Sequence, residues 1–126
     1  MHLSTDEMRE WVDGYIAAQN SQSAKNDDEN HWAIQKFFDL EMDHPDLCWK
    51  AILNILHREP DEAVLGILAA GPLEDLIHYH GDRFIDEIEL EARQNPAFRH
   101  LLGGVWESSS PEIWNRILEA RDNKAW

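Results

Sequence analysis

The sequence predicts an all-α fold: a single domain of about seven or eight short helices, an irregular α-α superhelix (HEAT-like) or a compact helical bundle. Three observations carry this. Apolar residues recur at spacings of three and four along most of the chain, and no alternating strand pattern competes. All five prolines stand at expected helix starts or joints, with none inside a helix. Short turns separate the periodic stretches, which makes neighbouring helices antiparallel. A β-sheet, or a proline midway through a helical rod, would contradict the reading.

Each element has a readable start. Ser4 with Glu7 forms a capping box before Met8, Trp11, Val12, Tyr15 and Ile16, a helix running to about Asn20. Residues 21–30 (SQSAKNDDEN) have no apolar face and read as a mobile loop. A helix from His31 to Met42 carries Trp32, Phe37, Phe38, Leu40 and Met42, crowded enough to be largely buried. Pro45, flanked by His44 and Asp46 as caps, opens the most hydrophobic segment, through Leu47, Trp49, Ile52, Leu53, Ile55 and Leu56. Pro60-Asp61 starts the next, with Val64, Leu65, Ile67 and Leu68.

Residues 71–106 then read as three helices. Gly71-Pro72 opens the first, with Glu74 and Asp75 at the positive end of its dipole, and Gly81 is placed as a left-handed C-cap. Asp82 would cap the second, built on Phe84, Ile85, Ile88 and Ala92. Asn95-Pro96 starts the third, which carries Phe98, Leu101 and Leu102 and ends at Gly103-Gly104. After a polar stretch at 107–110, Ser110-Pro111-Glu112 begins the last helix, with Ile113, Trp114, Ile117 and Leu118. The organisation expected is an N-terminal helical pair (1–44) followed by a helical core (45–126). Six tryptophans are many for 126 residues, and Trp11, Trp32, Trp49, Trp106 and Trp114 are expected to build much of that core.

The net charge is −14, of which −9 falls in residues 1–63 and −5 in residues 64–126. That excludes nucleic acid and anionic membranes as natural partners, and it suits a protein with a basic surface. No apolar run approaches the ~20 residues of a membrane span, and the acidic, amphipathic N-terminus is unlike a signal peptide. A lone cysteine, Cys48, sits in an apolar helical run beside Trp49, so a buried thiol in a reducing compartment is expected rather than a nucleophile.

Glu74, His78 and His80, with Asp75 and Asp82, make the densest polar cluster and the one candidate for a metal or acid–base site. Glu74 and His78 are four apart and share a helix face. His78 and His80 are two apart and point about 160° away from each other, which prevents joint chelation within one helix. The ordinary reading makes Glu74 a dipole-matched, cross-linking carboxylate and His80 a packed residue. Arg93, Arg99 and His100 form a small basic island suited to bridging the Glu89 and Glu91 region. No cofactor is expected.

From residue 46 onward the chain resembles a bacterial domain family with no established activity. The resemblance rests on Cys48-Trp49 with Ile52 and Leu53, on residues 68–76 (LAAGPLEDL), and on His80-Gly81, Phe84-Ile85, Glu91-Ala92, Pro96, Phe98-Arg99 and residues 102–106 (LGGVW). It implies a small helical protein of the bacterial cytoplasm.

The function expected is that of a non-catalytic, acidic protein–protein interaction module of the toxin-neutralising (immunity) type, working through acidic surface and exposed aromatic residues. Candidate contacts are Asp27, Asp28 and Glu29 in the loop, Asp39, Glu41, Asp43 and Asp46 around the second turn, and Asp86, Glu87 and Glu89. One alternative is a small metal-dependent hydrolase at Glu74, His78 and His80. Another is a homodimeric scaffold, in which Trp11 or Trp32 loses exposure only in the oligomer.

Overall fold

The computed structural model describes residues 2–20 and 30–122, and among them every regular element is helical. In order these are α1 (Thr5–Asn20), α2 (His31–Leu40), α3 (Pro45–His57), α4 (Glu62–Leu68), a π-helical turn (Ala69–Leu73), α5 (Glu74–Gln94), α6 (Pro96–Leu102) and α7 (Pro111–Ala120). The loop expected at 21–30, with Asp27, Asp28 and Glu29, lies outside the described residues but for Asn30.

The chain packs as two compact units, residues 1–64 and 65–126. In the first, the capping box forms in full. The Glu7 N–H donates to Ser4 Oγ (3.1 Å), and the Ser4 N–H donates to the Glu7 carboxylate (3.0 Å). Trp11, Tyr15 and Phe37 meet as an aromatic cluster with ring centroids 4.7 and 5.2 Å apart. Trp11 satisfies its indole N–H on Ala33 O (2.9 Å), which allows so large a ring to be buried at no polar cost. Gly14 lets α1 and α2 approach, since a methyl group there would stand 3.1 Å from Ala33 Cβ and from the Trp32 ring. Burial pushes the Tyr15 phenol well above its ordinary value. Along α3 the buried face is Leu47, Cys48, Ala51, Ile52, Ile55 and Leu56. At its start His44 contributes only its backbone carbonyl, so the side-chain cap expected there is not made.

Three helices expected between Pro60 and Gln94 are one continuous run, Glu62–Gln94, most of it in the second unit, and continuous runs among the described residues number six. Asp61 caps its start through the Val64 N–H (3.0 Å). Pro72 lies inside the run, against the expectation that no proline does so. A proline lacks an N–H and crowds the carbonyl four residues back. The wider π turn at Ala69–Leu73 absorbs both, so the axis continues where an α-helix would break.

Gly81 is likewise not a C-cap. No described glycine has a positive φ, and the run continues through Gly81 with only a kink at His80 (φ −136°, ψ 26°). Asp82 therefore caps nothing. Further along, Asn95 caps α6 through the Ala97 and Phe98 N–H groups, and Ser110 caps α7 through Ile113. The buried residues of this unit include Leu73, Leu76, Ile77, Phe84, Ile85, Ile88, Ala92, Phe98, Leu101, Leu102, Trp114 and Ile117.

The tryptophans divide. Trp11 and Trp114 are buried and Trp49 is half-buried, but Trp32 and Trp106 are exposed. Phe38 and Met42 are exposed as well, so α2 buries only Ala33, Phe37 and Leu40. A ten-residue helix with one apolar stripe can hide three or four side chains, and the rest of a crowded apolar sequence is left in water.

Candidate interaction surfaces

Among the described residues, the most exposed large apolar side chains, Phe38, Met42 and Trp106, fall at two places, each beside carboxylates in the sequence. The first is the outer side of α2 and the turn at 41–43 that follows it. Phe38 and Met42, four residues apart, are more than half exposed, and Trp32 is 44% exposed. Asp39 and Asp43, also exposed, follow the same spacing, and Asp39 accepts from Gln35 Nε2 (3.1 Å). Lys36 lies over the rings of Trp11 and Trp32, 5.4 and 5.9 Å from their centroids. Asp46 is exposed in the first turn of α3, and Glu41 is half-buried and engaged. Of the two tryptophans that the dimer expectation offered, Trp11 is fully buried within its own chain and Trp32 is the one with exposure to lose.

The second place is the loop after α6. Gly103, Gly104 and Val105 donate back to the carbonyls of His100, Leu101 and Leu102 (3.0–3.2 Å), and Val105 is buried. The Trp106 N–H then donates to Glu74 Oε1 (3.0 Å), while its ring is 77% exposed. Glu74 is thus a cross-linking carboxylate, and through it the two tracts that carry the family resemblance, 68–76 and 102–106, meet in space. Ser109, at φ 68°, turns the chain into α7.

His78 is exposed and edge-on to Tyr79 (4.7 Å), and His80 is half-buried at the kink. Among the described residues no three His, Cys, Asp or Glu side chains gather as a metal-binding group. Shallow clefts among the described residues include two of similar size. One of about 260 Å³ is lined by Glu89, Ala92, Arg93, Arg99, Glu119 and Ala120. The other, about 310 Å³, lies among residues of α1 and α3. Cys48 is buried, its thiol 3.8 Å from Phe37 O.

The acidic residues of α5 are less free than their sequence suggests. Arg116 of α7 bridges Asp86 and Glu89, and its hydrogen bond to Glu89 holds that carboxyl below its ordinary range against a smaller opposing effect of burial. Glu87 is exposed. Within the basic island, Arg99 donates to Ala92 O (2.7 Å) and to Asp122 (3.2 Å), not to Glu91. Sequence reasoning missed both Arg116 and the exposure of Trp106. Trp106 did carry a signal: it follows two glycines, precedes a polar run, and has no apolar partners three or four residues ahead.

No helix among the described residues is long and apolar enough to cross a membrane. The sequence model of a family of unknown function (DUF6869) matches residues 20–125. No curated protein and no solved structure matches the chain.

Proposed function

We propose, on the premise that this chain belongs to the family of unknown function DUF6869, that it is an acidic, non-catalytic protein-interaction module of the bacterial cytoplasm, of the toxin-neutralising type. It binds a protein with a basic surface. The observation that carries the reading is the outer side of α2 and the turn after it, where Trp32, Phe38 and Met42 stand in water in a stretch that also exposes Asp39 and Asp43. Large apolar side chains ringed by charge are how an interface core and its rim are divided. The carboxylates speed encounter with a basic surface and reject an acidic one, and the apolar residues hold the complex once formed.

The same face could in principle meet a second copy of the chain. A net charge of −14 on each partner opposes that, because like fields repel at the approach. A basic partner turns the same charge into attraction.

The test is a pull-down from the source cell at low and at high salt, using the native chain and a Phe38→Ser/Met42→Ser double variant. A basic protein retained at low salt, released at high salt and lost by the variant is the expected result. Recovery of no partner at either salt, or a native chain that purifies with stoichiometric metal, would overturn the reading. Sedimentation of the native chain at two concentrations checks that it is not a dimer.

A further inference from the structure

We infer that Trp106, with the carboxylates of Glu74 and Glu107, forms the docking point for a single cationic side chain, a lysine ammonium or an arginine guanidinium, of a basic protein partner. The inference rests on the reading above and adds a specific place and chemistry to it.

Trp106 is the most exposed large apolar side chain among the described residues. Exposure of one aromatic ring is ordinary on a protein surface. What sets this one apart is that its backbone is fixed while its ring is in water. Three backbone bonds from residues 103–105, the buried Val105 side chain and the Glu74 carboxylate hold the chain in place. A ring presented in this way loses little conformational freedom when a partner arrives.

The surroundings select the ligand. A tryptophan face attracts cations through its quadrupole, more strongly than any other side chain. Among the described residues the chain's own cations lie over Trp11, Trp32 and Phe84, and none lies over Trp106. Glu74 gives one oxygen to the Trp106 N–H. Among the described residues its other oxygen has no bond, and the exposed Glu107 has no cationic partner. An open aromatic face, with the Glu74 carboxylate on the backbone N–H of the same residue and Glu107 next to it in the chain, is complementary to an ammonium or guanidinium group. It is a poor match for an anion or a neutral aliphatic side chain. Arg116, by contrast, has already satisfied Asp86 and Glu89, so those carboxylates offer a partner less.

The experiment follows the tryptophan indole N–H resonances of the ¹⁵N-labelled chain, with Trp106 assigned from a Trp106→Phe variant. Blocked tripeptides Gly-Arg-Gly and Gly-Lys-Gly are titrated in, with Gly-Gln-Gly as the neutral control. The Trp106 resonance is expected to move with the cationic peptides and not with the control. Trp106→Ala should weaken binding about two- to fivefold or more, the range of an exposed cation–π contact. Glu107→Gln should weaken it by a smaller factor that disappears at high salt. Equal titration of the native chain and Trp106→Ala, or movement of the Trp32 resonance in place of Trp106, would overturn the inference. So would a partner from the pull-down that Trp106→Ala binds as tightly as the native chain does; that result would leave the proposed function standing. Absence of any basic partner would remove the proposed function, while the peptide titration still reports on Trp106.

Discussion

At Gly81 a single methyl group decides how closely the chain before α7 can lie against α5. A Cβ built there stands 2.8 Å from Ser109 Oγ and 3.0 Å from Ile113 Cγ2, so Gly81→Ala must turn the Ser109 hydroxyl away and shift the Ile113 side chain or α7 by a few tenths of an ångström. Overpacking of this kind costs about 1–3 kcal/mol, and better helix propensity returns about 1. The expected result is a net loss of up to about 2 kcal/mol in denaturant unfolding. Ser109→Gly removes the clashing hydroxyl and suits φ 68°, so the double variant should recover most of the loss. Gly71 is the contrast within the same run: no atom outside its own helix backbone and chain neighbours lies within 4 Å of its Cβ position, so Gly71→Ala meets no packing clash. The gain in helix propensity of about 1 kcal/mol is opposed by the crowding of a helical Cβ against the following Pro72 ring, which leaves the variant near neutral. The sequence made Gly81 look like a cap because His-Gly-Asp has the form of a helix end followed by a helix start. Whether a glycine serves its own φ or makes room for a neighbour depends on what lies opposite. Here that is a residue 28 positions later, which local pattern does not report.

Helix starts were the most legible elements, because a cap is a local event. Ser4 with Glu7, Asp61, Asn95 and Ser110 each bond within three residues, and each was readable. Continuity was less legible, since a proline signals a break and only the packing of a run around it shows that a π turn has absorbed it. Contacts between elements were least legible, and Arg116 is the example. Its guanidinium joins α7 to α5 through Glu89 and Asp86, 27 and 30 positions away. Glu89, held by Arg116, and Glu7, held by Ser4, both have folded-state values lowered. A lowered carboxylate value stabilises the fold above the unfolded value, near about 4.3, and that contribution is lost as pH falls through the folded value. On acidification below about pH 4.5 the native chain should therefore lose a share of its thermal midpoint that Arg116→Gln, which lacks the Glu89 bond, does not lose. Thermal scans from pH 7 to pH 3 give the comparison. Equal slopes for the two proteins would show that Arg116 does not stabilise the charged form of Glu89.

For the whole molecule, composition predicted the sign of the surface but not its distribution. Twenty-five acidic and eleven basic residues guarantee an acidic exterior. Which carboxylates are free depends on where the few arginines reach. Arg58 takes Asp13, Arg99 takes Asp122 and Arg116 takes two carboxylates of α5, and none of these assignments is local in sequence. The exposed aromatics were anticipated only as a class, because a crowded α2 and a loop tryptophan both look like core until the available faces have been filled. The charge imbalance leads to a test in which folding and binding respond oppositely to salt. Most carboxylates lack a cationic counterpart, so screening removes more repulsion than attraction within the chain. The thermal midpoint should rise as ionic strength goes from about 10 mM to about 200 mM, where the Debye length falls below about 10 Å. Over the same range, association with a basic partner should slow by about tenfold or more, because the same field steers the encounter. A midpoint that falls with salt would mean that the arginine bridges outweigh the repulsion. An association rate indifferent to salt would mean that the acidic surface does not guide binding.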